Sequence, residues 1–437
     1  DAEHLAAALQ RGVRPGDVQR ADGPAHPLDQ GGVVEGRLLG GNLTVLCHLM
    51  GTPWLPDFTG GGTRMLSRYP GGSFAVKLDG QVVFNYAEDE VQSLTGTLTV
   101  REREGGLTRE MVLTSMGEGR IARSYRVGRE VQPLDDAGRA WWARAVQRMA
   151  EHLTDPQVRA RRLFERGGFD AVLADAERAS EDFLRSRRLQ AALALGQPLP
   201  AAVQDRLIAA TARIGGDFER RETLQAIARQ PLAEPQQLAW LQAAAGLGGD
   251  FERREALGAL APRLIASPAV LAAWRETLGR MDGDFELRTA IDTQVSATPQ
   301  PAVLAAALQA AQRIGGDFEK REALGVVARR LQGDEAALVD AYVGVADGIA
   351  GSFERREALG QLLDRPKLGT DGLARVLAGA EGVDGGFERL QLLLRVAERL
   401  GESRPVDAAL VDRLRRAGRG LGDHERGQLE NALDRLS

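Results

Sequence analysis

Residues 215–224 read GGDFERRETL, and nearly the same ten residues return as GGDFERREAL at 248–257, DGDFELRTAI at 282–291, GGDFEKREAL at 315–324, AGSFERREAL at 350–359 and DGGFERLQLL at 384–393. An earlier copy, ASEDFLRSRRL, occupies 179–189, and a degenerate one, GDHERGQLE at 422–430, has His424 where the others have phenylalanine. The phenylalanines stand at 183, 218, 251, 285, 318, 353 and 387, so the step is 33 to 35 residues. A step of that size holds two helices of about 12 residues and two turns. The fold expected is mainly α: a right-handed αα-solenoid of the HEAT or TPR kind, with repeats of about 34 residues over 167–437 and a C-terminal cap, preceded by a small antiparallel β-meander.

Within each copy, glycines such as Gly215 and Gly216 are expected to take the left-handed conformation that ends one helix, and Asp217 to cap the next. Asp250, Asp284 and Asp317 hold the same place. Phe218, Leu224 and Ile227 read as a helical stripe facing the core, repeated as Phe251, Leu257, Leu260 and as Phe318, Leu324, Val327, with Phe285 and Phe353 in the same leading position. The preceding helix of each unit is rich in alanine, as in QQLAWLQAAAGL at 236–247 and PAVLAAALQAAQRI at 301–314, and small side chains let stacked helices approach closely. The last copy replaces the phenylalanine with His424 and the leucine with Glu430, as the outer face of a terminal cap requires.

Arg221, Arg254, Arg288, Arg321 and Arg356 recur three residues after the phenylalanine. Two readings stand beside each other. The arginines form a ladder for anionic ligands, or each pairs with an aspartate or with helix-end carbonyls of the adjacent repeat and fixes the stacking register. The second is preferred, because residues kept inside a corner motif are first what the corner needs.

Between Gly71 and Pro133 the pattern changes to short alternating runs, SFAVKL, QVVFNY, GTLTVRERE, LTREMVLTS and RIARSYRV, with Asp79-Gly80 and Gly105-Gly106 as turn signals. That is the signature of an antiparallel meander of five or six strands. Asp135 or Asp136 then caps a helix carrying Trp141, Trp142, Val146 and Met149, with the tryptophans read as packing residues. The domains expected are therefore residues 1–62, a meander over 71–133, connecting helices over 134–166, and the array over 167–437.

The 437 residues carry a net charge of −5, and the basic residues are dispersed, so no nucleic-acid footprint is expected. No apolar run approaches the roughly 20 residues of a membrane helix, so no membrane insertion is expected. One cysteine, Cys47, excludes an intrachain disulfide. No metal site is expected, since His424 has no second histidine or cysteine at a ligand spacing, and no cofactor is implied.

The sheet, the tryptophan helix and the lead-in RRLFERGGFDAVLADAERASEDFLRSRRL at 161–189 resemble uncharacterised bacterial proteins in which a small sheet precedes helical repeats, some of them joined to antibiotic-sensor-type membrane metallopeptidases. The resemblance implies an accessory part, sensory or of the cell envelope. A second resemblance is more local. VVEGRLLGGNLTVLCHLMGTPWLPDFTG, from Val33 to Gly60, resembles a segment of the LD-carboxypeptidases, serine peptidases that trim peptidoglycan peptides. That family works with a serine, a glutamate and a histidine. None of the three carries over: the serine lies upstream of the matching segment, the family's glutamate sits in a Leu-Glu-Asp strand where this chain runs GGTRMLSRYPGG at 61–72, and the next histidine is His152. Glu35 and His48 are not candidates for these roles. The expectation is a non-enzymatic scaffold for a protein or peptide partner, the alternative being an LD-carboxypeptidase whose catalytic residues lie outside this chain.

Overall fold

A computed structural model describes residues 63–402 and 406–436. The resemblance carried by Val33 to Gly60, with Glu35, Cys47 and His48, lies outside the described residues. Two compact units divide the chain between Leu153 and Thr154, inside the 134–166 segment assigned to connecting helices.

In the first unit six antiparallel strands follow one another in order: β1 (Thr63–Tyr69), β2 (Gly72–Phe84), β3 (Val91–Glu104), β4 (Leu107–Ser115), β5 (Ile121–Val127) and β6 (Glu130–Val131). The first lies before the expected meander and turns into β2 through Pro70 and Gly71, with Gly71 at φ +85°. One face is apolar because side chains alternate along each strand. Phe74, Val76 and Leu78 pair across to Glu102, Val100 and Leu98, and the latter two to Met111 and Leu113.

Asp79-Gly80 is not a turn. β2 runs through it, joining SFAVKL to QVVFNY, and Gly80 pairs with Gly96 of β3. Both glycines have positive φ, +115° and +75°. A Cβ on Gly80 would lie 2.0 Å from the Thr95 carbonyl oxygen, and one on Gly96 1.9 Å from that of Asp79. The dipeptide therefore serves a close backbone approach within a long strand pair.

Helix α1 (Asp136–Leu153) covers the apolar face, capped by Asp135, whose carboxylate accepts from the Gly138 N–H at 2.7 Å. It buries Trp141, Trp142, Val146 and Met149. Each indole N–H donates to a carboxylate, Trp141 to Glu102 (2.7 Å) and Trp142 to Glu90 (3.0 Å), so the tryptophans are packed and satisfied.

The second unit holds sixteen α-helices among its described residues, the first of them broken at Gly167 and Gly168. One row comprises α2 (Pro156–Arg178), α4 (Ala201–Ala212), α6 (Glu234–Ala245), α8 (Pro268–Leu278), α10 (Pro301–Ala311), α12 (Ala336–Ala346), α14 (Thr370–Glu381) and α16 (Ala408–Ala417). The other comprises α3 (Asp182–Leu193), α5 (Asp217–Ala228), α7 (Asp250–Leu260), α9 (Asp284–Ala297), α11 (Asp317–Ala328), α13 (Ser352–Leu363), α15 (Gly386–Gly401) and α17 (Asp423–Asp434). Each helix packs on its predecessor and successor within the row, and the core lies between the rows. The alanine-rich row contributes Trp240, Trp274 and Tyr342, all buried; Trp240 donates its indole N–H to the Leu224 carbonyl (2.9 Å) and Tyr342 its hydroxyl to that of Ala358 (2.8 Å). The last helix stays anchored through Leu429 and Leu433, while Glu430 pairs with Arg415.

Candidate interaction surface

The repeated segment begins at the N-terminus of each helix in the second row, and its geometry differs from the expected corner. Gly216 and Gly249 occupy the N-cap positions with ordinary negative φ, −72° and −83°. Neither backbone conformation nor backbone contacts require glycine there, and the nearest atoms are the far ends of flexible side chains. A Cβ on Gly216 would meet the Glu219 carboxylate at 2.4 Å, and one on Gly249 that of Glu252 at 2.2 Å.

A glycine N-cap has no side chain to accept from the first helical N–H groups, which need a partner. The aspartate of the preceding repeat serves the N-cap N–H and the N–H of the residue ahead of it. Asp182 accepts from Gly215 and Gly216 (2.8 and 2.9 Å), and Asp217 from Gly248 and Gly249 (3.0 and 2.9 Å). Asp250 accepts from Asp282 and Gly283, Asp284 from Gly315 and Gly316, and Asp317 from Ala350 and Gly351. Ser352 continues the series with one bond, from the Gly385 N–H. The aspartates thus cap the following repeat's helix rather than their own, where a carboxylate also meets the positive end of the helix dipole.

The carbonyls at these corners are held by the basic residue two after the phenylalanine, which the sequence reading did not single out. Arg220 donates to the carbonyls of Ile214 (2.7 Å) and Gly246 (2.6 Å), Arg253 to those of Leu247 and Arg280, and Lys320 to that of Gly348. Arg253 is buried, and Leu287 interrupts the series.

The phenylalanines do not join the core. Phe251 is 47% exposed and Phe285, Phe318, Phe353 and Phe387 between 48% and 63%, while Phe218 is half-buried. Residues nine apart on an α-helix are two and a half turns apart, so Phe218 and Ile227 fall on opposite faces. The buried stripe is Leu224, Ile227 and Ala228 in that repeat and Leu324, Val327 and Ala328 in another.

Arg221, Arg254, Arg288, Arg321 and Arg356 lie over these rings, with guanidinium carbons 5.0 to 5.1 Å from the ring centroid of their own repeat, inside cation–π range. Arg221 also lies 5.7 Å from the Phe251 centroid. Their charges are engaged by carboxylates. Arg254 pairs with Glu286, Arg288 with Glu319 and Arg356 with Glu388, each in the following repeat, while Arg221 and Arg321 pair with Glu222 and Glu322 at 2.9 Å. The aspartates, expected as one possible partner of these arginines, serve the corners instead.

The result is a periodic row of phenylalanine rings edged by glutamates, those from Phe218 to Phe353 each under an arginine and Phe387 followed by Leu390 in that position. A family model for the LD-carboxypeptidase C-terminal domain matches residues 35–66. The chain is similar to that domain over this segment, of which 63–66 fall at the start of β1. No curated protein matches the chain. Among the described residues, no three His, Cys, Asp or Glu side chains are grouped as a metal site requires, and no helix is long and apolar enough to cross a membrane.

Proposed function

We propose that this chain is a non-enzymatic repeat scaffold that holds a protein or peptide partner along the phenylalanine row. One observation carries the reading: five phenylalanines more than 45% exposed recur once per repeat on the same side of successive helices. Exposed rings repeated at one position of successive helices present a regular set of apolar anchors, and exposed apolar surface rimmed by polar residues marks interaction sites. Aromatic and arginine side chains are also the types enriched at the anchors of interfaces. The arginines serve here to hold and edge the rings, since their charges are engaged by glutamates, which disfavours an anion ladder. Placing a photo-crosslinking phenylalanine analogue at Phe285 or Phe318 in the native cell tests the proposal. A discrete adduct at both positions, absent from an analogue at exposed Gln309 on the other row, is expected. No light-dependent adduct at either position would contradict it.

A second reading rests on the family match at 35–66: an LD-carboxypeptidase segment whose serine, glutamate and histidine come from elsewhere. It requires the purified chain, mixed with native extract, to raise the release of terminal D-alanine from a peptidoglycan tetrapeptide above that of the extract without it. Release no greater than that of the extract by itself would remove it.

A further inference from the structure

We infer that the occupant of the phenylalanine row is an extended cationic segment with an apolar side chain at about every third residue. The inference rests on the scaffold reading and deepens it by naming the partner's chemistry.

Charge supplies the first argument. Glutamate follows the phenylalanine directly in all six repeats from Glu219 to Glu388 and stands four residues after it at Glu222, Glu255, Glu322 and Glu357; Glu219, Glu252 and Glu354 turn back onto the glycine N-caps, which leaves seven for the row. Positions one, three and four residues after a phenylalanine share its side of the helix, within about 100° around the axis. Five arginines answer these glutamates, and two of them are divided between two carboxylates: Arg254 holds Glu255 and Glu286, and Arg356 holds Glu357 and Glu388. The basic residues two after the phenylalanine add nothing to the row, being turned into the corners. The row is therefore acidic around its apolar rings, and complementary charge on a partner is what steers and orients association at such a surface. An acidic or phosphorylated segment meets the surplus carboxylates first.

Spacing supplies the second argument. Each ring belongs to one helix of a stacked row, and packed helices lie about 8–10 Å apart. A polyproline II chain advances about 3.1 Å per residue with three residues per turn, so three residues span one rung and every third side chain returns to the same face. An apolar residue in every third position seats beside successive rings, and lysine or arginine between them reaches the glutamates at the edges. Five exposed rings, from Phe251 to Phe387, accommodate a segment of about 15 residues by the same rise.

The test is fluorescence anisotropy of the full chain with labelled 15-residue peptides. The probe repeats Leu-Lys-Lys. The comparisons are Leu-Glu-Glu, Ser-Lys-Lys, and a peptide of the first composition with its leucines grouped at one end. The expected result is binding of Leu-Lys-Lys at least tenfold tighter than any of the three, weakening as salt rises. It is further expected to weaken at least tenfold in the variant Phe285→Ser, Phe318→Ser, Phe353→Ser, and several-fold in Glu255→Gln, Glu322→Gln, Glu357→Gln, both with unchanged helical circular dichroism. Equal affinity for Ser-Lys-Lys or for the grouped-leucine peptide would reduce the effect to nonspecific charge and overturn the proposal, as would preference for Leu-Glu-Glu. Crosslinks at Phe318 that map to a neutral or acidic segment of a partner would also overturn it while leaving the scaffold reading intact. Absence of any crosslinks would remove the scaffold reading itself.

Discussion

The carboxylate of Asp217 accepts hydrogen bonds from the backbone N–H groups of Gly248 and Gly249, at 3.0 and 2.9 Å, in the next repeat. It is both the N-terminal cap of a helix that has no side-chain cap and a fixed-length strut between neighbours. Loss of an N-cap costs about 0.5–2 kcal/mol. Asp250→Ala, which removes the bonds from Asp282 and Gly283 and the ion pair with Arg253, is expected to destabilise the array by about 2 kcal/mol, read as a lower urea midpoint by circular dichroism. Asp250→Asn, which keeps an accepting oxygen, is expected to cost less. Equal midpoints for Asp250→Ala and wild type would show that the strut contributes nothing.

Adjacent arginines in one helix should behave differently. Arg253 is buried against the carbonyls of Leu247 and Arg280, and truncating it leaves those groups and Asp250 without their charged donor, a change worth about 3 kcal/mol. Arg254 is partly buried over Phe251 with Glu255 and Glu286 and holds no corner carbonyl, so its loss is expected to cost less than that of Arg253, about 1 kcal/mol. Denaturant titration of Arg253→Ala and Arg254→Ala decides it: similar losses for the two would mean that the corner and the surface row are not separate devices.

In the first unit, Gly96→Ala is expected to cost about 3 kcal/mol, because the Cβ collides with the Asp79 carbonyl and the residue must keep a positive φ. The readout is a lowered melting temperature of the near-ultraviolet signal from Trp141 and Trp142. An unshifted transition would mean that β2 and β3 separate at this pair without cost.

Burial pushes the Tyr342 phenol well above its usual range, and burial followed by the charge of Glu102 raises that of Tyr69. A raised folded-state value means that the folded protein holds the proton more tightly than the unfolded chain. The stability this provides is present below the ordinary phenol range near pH 10 and is lost as pH rises through the folded value. In an alkaline titration followed at 295 nm, part of the phenolate signal is expected only as helical signal is lost, and Tyr342→Phe is expected to remove that part. Full ionisation with the helices intact would contradict the burial of Tyr342.

The period was legible in the sequence because repetition declares itself without any knowledge of contacts. The corner was less so. A motif shows which residues recur, but not which repeat each one serves, so Asp217 read as a cap for its own helix when its acceptor atoms lie at the next corner. The position of Phe218 was decided by helical angle, and hydrophobicity alone pointed the wrong way. Arg220 and Arg253 were hidden inside a charged run that reads as a solvated face, although every third or fourth residue of such a run must turn inward. Asp79-Gly80 has turn composition, yet two facing glycines in paired strands satisfy the same backbone need.

The measurement closest to the central claim is the amount of the partner crosslinked at Phe318 that co-purifies with a chain carrying Phe285→Ser and Phe353→Ser, relative to wild type at equal folded concentration. A fall of at least tenfold, with the melting temperature of the array kept within a few degrees, is the predicted result. Undiminished co-purification would contradict the assignment of the phenylalanine row as the binding surface.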